Sequence, residues 1–332
     1  FEHPLAWLFA RMGYGFAING VFIVAQSSLH HASTDDIRGK VITVFYIGYV
    51  VALGSGSFLA GYIDNTGNSI PVLATAFIAL AMLPVGLTRL PQPEPPEKMS
   101  INIRQVWQIS PVGLVAMFAV GGATMLMQSM APIYTTALGY GPKDVGLLML
   151  LMQIGLIAIQ MPMGALSDRI DRRIVLALVS AGAVVISLTA YATHGALGLA
   201  ALILIFALWN GFNETIYSVS SALANDRADP SDYVMLSSTQ MIAWSLAAFI
   251  VPATATAILA FMPIQFFMPM AAGISATFLL FVLYRMRQRR DVVAEDKETF
   301  QTVTAQVAYP GDYSNPDAYE DEDAGTSEGL IN

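Results

Sequence analysis

Nine times along this chain a stretch of about 20 residues passes with almost no charged side chain, and short polar connectors separate the stretches. They fall at roughly residues 5–29, 41–63, 70–87, 112–138, 145–166, 174–192, 197–224, 233–261 and 264–284. A helix rises 1.5 Å per residue, so each stretch matches a hydrocarbon core about 30 Å thick. Backbone that crosses such a core must satisfy its own hydrogen bonds, which makes each run a helix. Composition points the same way: 55% of residues are hydrophobic and 12% charged, against about 25% charged in soluble domains. A soluble enzyme, a nucleic-acid binder and a disordered scaffold are all disfavoured. The fold class expected is an all-α polytopic membrane protein, with the lipid bilayer as a partner and no nucleic acid.

The net charge of −8 belongs to one end of the chain. Residues 291–332 hold eleven Asp/Glu and one Lys, so that tail carries −10 and the rest of the chain +2. The low isoelectric point therefore says nothing about a substrate. Residues 285–332 read as a basic and then acidic tail, too poor in aliphatic side chains to order itself. Lys and Arg set the orientation. The odd-numbered connectors and the tail collect fourteen of them, while the even-numbered connectors hold only Lys143. The Arg-rich side is expected to be cytoplasmic, including the C-terminus, in a multi-pass protein of a bacterial-type inner (plasma) membrane. Nine spans then place Phe1 outside, with no Met and no basic export segment before it. An odd number of upstream spans is expected to be missing.

No Cys occurs, and His3, His30, His31 and His194 have no carboxylate cluster around them, so no metal and no cofactor are expected.

The fifth connector reads Gly164-Ala165-Leu166-Ser167-Asp168-Arg169-Ile170-Asp171-Arg172-Arg173. It resembles the G-x-L-[SA]-D-R-x-x-R-R loop of the major facilitator superfamily (MFS), which joins the second and third helices of each six-helix half. The resemblance implies a twelve-helix transporter in which spans four to nine are helices seven to twelve. The first three spans become helices four to six, and about three helices are absent upstream, in agreement with the topology. Residues 1–90 are then the remainder of the N-terminal half, 91–111 the cytoplasmic linker between halves, and 112–284 the C-terminal half. The Pro-rich start of that linker resists helix, and its 101–107 stretch can lie at the interface. Arg11-x-x-x-Gly15 is similar to a motif in the fourth helix of proton-driven members, with Tyr14 where a Gln precedes the Gly. Arg38-Gly39 fits the same superfamily. Ala52-x-x-x-Gly56-Ser57-x-x-Ala60-Gly61 is spaced like the antiporter signature and lacks its Pro. Ala224-Asn225-Asp226-Arg227, with Ser237 and Ser238 beyond it, is similar to the YcaD-like subgroup.

The loop residues carry readable physics as a conformational switch. Gly164 permits close helix approach, Asp168 can pair with a helix N-terminus or an Arg, and Arg169, Arg172 and Arg173 can anchor on anionic headgroups.

A charge inside the membrane costs about 2.5–3.5 kcal/mol at the helix centre, so it faces a partner or a water-filled space. Two such groups stand out, Arg11 and Glu214. Asn210, Glu214, Tyr217 and Ser221 recur at helical spacing on one polar face. Glu214 can exchange a proton or bind a cationic group; the plainer reading is a structural carboxyl bonded to Asn210 or a neighbouring helix. Arg11 shares a face with Asn19 and Gln26 and either holds an anion or snorkels outward. Thr124 with Gln128, and Gln153 with Gln160, form two further polar pairs, the latter better suited to helix–helix hydrogen bonding. In the superfamily, helices one, four, seven and ten line the central cavity. The resemblance therefore assigns the substrate and proton pathway to Arg11, Asn19, Gln26, Thr124, Gln128, Asn210, Glu214 and Tyr217.

The function expected is a secondary active transporter that moves a small solute by alternating access, coupled to protons. No G-x-x-x-x-G-K-[ST] loop exists to power the chain with ATP. A transporter-fold sensor or scaffold that signals through its acidic tail is the alternative. An enzyme is not expected, because no span carries a Ser/His pair or H-E-x-x-H.

Overall fold

The computed structural model describes residues 6, 9–18, 21, 25, 29, 35–63, 68–87, 101–229 and 232–288. Asn19, Gln26, part of the first expected span, the start of the linker and the tail beyond 288 lie outside the described residues. Residues 9–18 are helical. The helices that follow are α1 (Asp35–Ala60), α2 (Ser69–Leu87), α3 (Ile103–Ile109), α4 (Pro111–Ala137), α5 (Pro142–Arg169), α6 (Arg172–Ala192), α7 (Leu199–Asn225), α8 (Tyr233–Leu259) and α9 (Phe267–Gln288). Among the described residues there is no strand. The protein is an all-α membrane bundle.

Local chemistry fixes where these helices begin. Ser110 accepts from the Gly113 N–H at 3.2 Å and Pro111 follows it, so α4 starts with a capped turn and a residue that needs no donor. Asp144 accepts from the Gly141 N–H at 3.1 Å ahead of α5, again with Pro at the first position. Asp171 accepts from the Arg173 N–H at 2.8 Å to open α6. The sharp return after α4 uses Gly139 at φ 91°, a left-handed conformation that side chains disfavour.

Among the described residues, seven helices are long and apolar enough to cross a membrane. The third expected span is α2, whose apolar portion Ser69–Pro84 is shorter than the others. Expected and observed spans agree closely from α4 onward, because apolar runs and connectors alternate cleanly there. Phe249, Phe261 and Leu280 are exposed on the outside of the bundle, the surface that a protein with a lipid solvent presents.

α5 lies parallel to α7, and α4 parallel to α8, while α1 against α5 and α4 against α7 run antiparallel, and α9 packs on α6. Without a hydrophobic effect between helices in lipid, close approach of small residues supplies the contact. A Cβ on Gly155 would stand 2.4 Å from the Ala207 carbonyl oxygen, so α5 and α7 touch through backbone. The same holds where α1 meets α5, at the end away from the Arg-rich connectors. There a Cβ on Gly61 would stand 2.5 Å from the Pro142 carbonyl oxygen, and one on Gly146 would stand 2.8 Å from that of Ser57. Lys143 lies over the Tyr62 ring beside this crossing, 4.8 Å from its centroid.

The interface stretch of the linker is α3, and it docks on the bundle. Val106 is fully buried against Leu114, Ala224, Met235 and Leu236. The Asn102 N–H donates to Thr239 Oγ1 at 3.1 Å, and Gln105 Nε2 donates to Asp232 Oδ1 at 3.0 Å.

Candidate functional site

Glu214 stands about eleven residues, roughly 16 Å, from the Asn225 end of α7, near the middle of a span. Thr124 of α4 donates to its Oε1. Asn213 Nδ2 donates to Thr124 Oγ1 at 2.8 Å and to Glu214 Oε1 at 3.3 Å. All three side chains are buried. Among the described residues no Lys, Arg or His pairs with this carboxylate. A hydrogen bond to a charged group is worth about 1.5–3 kcal/mol, comparable to the about 2.5–3.5 kcal/mol that a central charge costs.

The polar face read from the sequence divides in three dimensions. Thr124 and Glu214 meet. Asn210 turns instead to α5, where its Nδ2 donates to the Met152 carbonyl at 3.0 Å, so Glu214 is not bonded to it. Tyr217 directs its hydroxyl at Met241 Sδ, 3.6 Å away. Gln128, one turn from Thr124, is half-buried, with no hydrogen bond among the described residues. Arg11 is exposed, its guanidinium 6.0 Å from the Tyr14 ring centroid. Asn213 escaped the sequence reading because it lies off the Asn210–Glu214–Tyr217 stripe. Its polarity beside a mid-span acid was the available signal.

A second polar chain runs alongside. Tyr46 of α1 donates to Gln160 Oε1 on α5, and Gln160 Nε2 donates to Ser218 on α7. Gln160 was expected to bond between helices, and it joins three of them. Tyr46 and Ser218 carried no spacing signal in the sequence.

The connector between α5 and α6 is stitched to the end of α7. Arg172 is fully buried; its Nε donates to Asp226 Oδ2 at 2.7 Å, its Nη2 to Asp226 Oδ1 at 3.3 Å, and its Nη1 to Ser167 Oγ at 3.3 Å. Asp168 faces the same guanidinium at 3.5 Å. Arg173 is also buried and forks onto Asp171, with Nη2 2.7 Å from Oδ2. Gly164 is buried, and Ser167 donates to its carbonyl at 2.7 Å. Anchoring on lipid headgroups, expected for the whole Arg cluster, does not hold for Arg172 or Arg173, because neighbouring carboxylates hold both inside the protein. Arg169 alone is exposed. Among the described residues no cluster of His, Asp and Glu could hold a metal.

Comparison with known proteins gives this arrangement its context. Residues 112–310 match the sequence profile of the Major Facilitator Superfamily. The chain is 23% identical over 292 residues to an uncharacterized MFS-type transporter YcaD of Escherichia fergusonii, covering 87% of this chain and 74% of that protein. A YcaD of Salmonella typhi is likewise 23% identical over 291 residues, covering 87% and 75%. With the superfamily profile over more than half of its length, and the signature loop tying α5, α6 and α7 together, the chain belongs to the Major Facilitator Superfamily.

Proposed function

We propose that this membrane protein is a secondary active transporter that moves a small solute by alternating access, with Glu214 as the residue that couples transport to protons. The observation that carries the reading is a mid-span carboxyl held by neutral donors from α4 and α7, with no cation paired to it among the described residues. Such a group gains or loses a proton without breaking an ion pair, and an ionisable side chain at this depth is functional by default. Thr124, Asn210, Gln128 and Tyr217 form the polar surroundings of the pathway, and Arg11, Asn19 and Gln26 its share on the first span. Asp168, Arg172 and Asp226 form a switch at the Arg-rich end, which the excess of positive charge assigns to the cytoplasm of a bacterial-type plasma membrane. The two halves divide at the 91–111 linker, and the C-terminus lies on the cytoplasmic side.

The test uses purified protein in vesicles with an imposed pH gradient, screened against labelled solutes. Accumulation that requires the gradient is expected in the wild type. Glu214→Gln keeps the shape and the accepting oxygen but removes titration, so accumulation is lost while exchange down a solute gradient persists. Uphill accumulation by Glu214→Gln, with the wild-type pH dependence, would overturn the coupling role.

A further inference from the structure

The short helix α3 lies at the Arg-rich end of the bundle and has three sectors. At 3.6 residues per turn, one circuit of it meets Gln105, Ile109 and Val106, then Ile103 and Trp107, then Arg104 and Gln108. The first group docks on the bundle: Val106 is fully buried, Ile109 packs beside it, and Gln105 donates to Asp232. The second is apolar yet uncovered, with Ile103 60% and Trp107 46% exposed. The third is polar and exposed. Docked, apolar and polar sectors in that order let a helix lie along a bilayer surface beside its bundle, the apolar edge dipping among acyl chains. Trp favours that depth, where its ring meets hydrocarbon and its N–H meets headgroups.

This orientation is built in. The Asn102 N–H donates to Thr239 of α8. Ser110 ends α3, with its N–H on the Val106 carbonyl at 2.8 Å, and also caps α4, so no free connector separates the two helices. The Trp107 ring lies 6.2 Å from that of Phe281 on α9, centroid to centroid. Arg104 sits one turn back along α3 from Trp107, and Arg285 one turn on along α9 from Phe281. Arg287 follows, exposed, in the last turn of α9. Neither residues 101–110 nor residues 267–288 contain an Asp or Glu, and Arg104 pairs with no carboxylate among the described residues. The chain's own acidic tail would answer these arginines but not the apolar edge, being poor in aliphatic side chains. A lipid with acyl chains and a negative headgroup answers both.

We propose that α3 and the end of α9 form a docking surface for an anionic phospholipid, its acyl chains against Ile103 and Trp107 and its phosphate held by Arg104 and Arg285. The surface stands whether or not Glu214 couples protons.

Four Trp occur in the chain, and the fluorescence lost in Trp107→Phe isolates one of them. The full chain is reconstituted in phosphatidylcholine vesicles in which an equal small fraction of lipid, either phosphatidylglycerol or phosphatidylcholine, carries bromine on its acyl chains. Bromine quenches a ring that it touches, so the Trp107 component reports which lipid sits there. Quenching by both is expected, with phosphatidylglycerol favoured about threefold or more, since each Arg near an anionic surface is worth up to about fivefold. Arg104→Gln lowers that preference about twofold or more, and adding Arg285→Gln brings it close to one, while quenching by brominated phosphatidylcholine persists. Arg104 is exposed, so its single change decides the matter even if the double variant folds poorly. Equal quenching by the two lipids in the wild type, a preference untouched by the Arg changes, or no quenching by either lipid overturns the proposal. So does a preference that rises when the chain is cut after Arg290, which would make the tail the occupant. A preference abolished by millimolar inorganic phosphate overturns it too, in favour of a site for free anions.

Discussion

Arg172, the first residue of α6, reaches across to Asp226 just beyond the end of α7 with Nε 2.7 Å from Oδ2, and neither side chain is exposed to solvent. A two-point contact between a guanidinium and a carboxylate is both directional and strong. It ties the superfamily's signature loop to a helix 54 positions further along the chain.

From that contact follows a stability prediction. Arg172→Ala removes the guanidinium from a buried carboxylate, and breaking such a pair costs about 3–5 kcal/mol. A large drop in the thermal unfolding midpoint in detergent is expected. The double change Arg172→Met with Asp226→Leu removes both charges together and is expected to regain most of that loss. Equal losses in the single and double variants would show that the pair contributes little.

Asp168 is placed differently. It lies 3.5 Å from Arg172 and about a third of its side chain remains open, the geometry of a weak pair worth about 0–1 kcal/mol. Asp168→Asn is therefore expected to leave the unfolding midpoint nearly unchanged. Transport measured at matched expression should nevertheless fall, since a bias of about 1 kcal/mol between two access states shifts their ratio about fivefold. Wild-type transport by this variant would assign the loop a purely structural part.

Gln160 offers a cleaner structural test. Its amide accepts from Tyr46 and donates to Ser218, so Gln160→Leu leaves two buried hydroxyls without that partner, at about 1–3 kcal/mol each. Combining it with Tyr46→Phe and Ser218→Ala removes the stranded groups and is expected to restore the midpoint in part. Additive losses across the three changes would argue against a connected chain.

At Thr124 the expected effect is on transport. Thr124→Ser retains the hydroxyl that donates to Glu214 and should transport like the wild type. Thr124→Val keeps the shape and loses the donor, so initial rates in vesicles should drop by about the worth of one charge-assisted bond, roughly tenfold or more. Equal rates for the two variants would detach Thr124 from the carboxyl's work.

Much of this architecture could be read from the residues alone. From α4 onward the apolar runs are bounded by Gly, Pro and Asp, and those residues do cap the helices: Ser110 with Pro111, Asp144, and Asp171. Glu214 was legible because a lone acid in a span has few explanations, and Thr124 because it lies in another span that the resemblance places on the cavity. What escaped were contacts that depend on rotation of one helix against another. Asn213 sits one residue off the anticipated stripe and still reaches both Thr124 and Glu214. Asn210 sits on that stripe and turns away to a backbone carbonyl. The fate of Arg172 needed the fold as well, because a loop Arg reads as solvent- or lipid-facing until a carboxylate far along the chain is placed beside it.

The crossing of α1 and α5 has a mechanical side. At Gly61 and Gly146 the two helices meet through main-chain atoms, with no layer of side chains between them. Interlocked side chains act as gear teeth, and rotating one helix against its neighbour means unpacking and repacking each rotamer. Two bare backbones have no teeth. A single Cβ added at either glycine would press on main-chain atoms that have no rotamer to give, so the two segments would have to part.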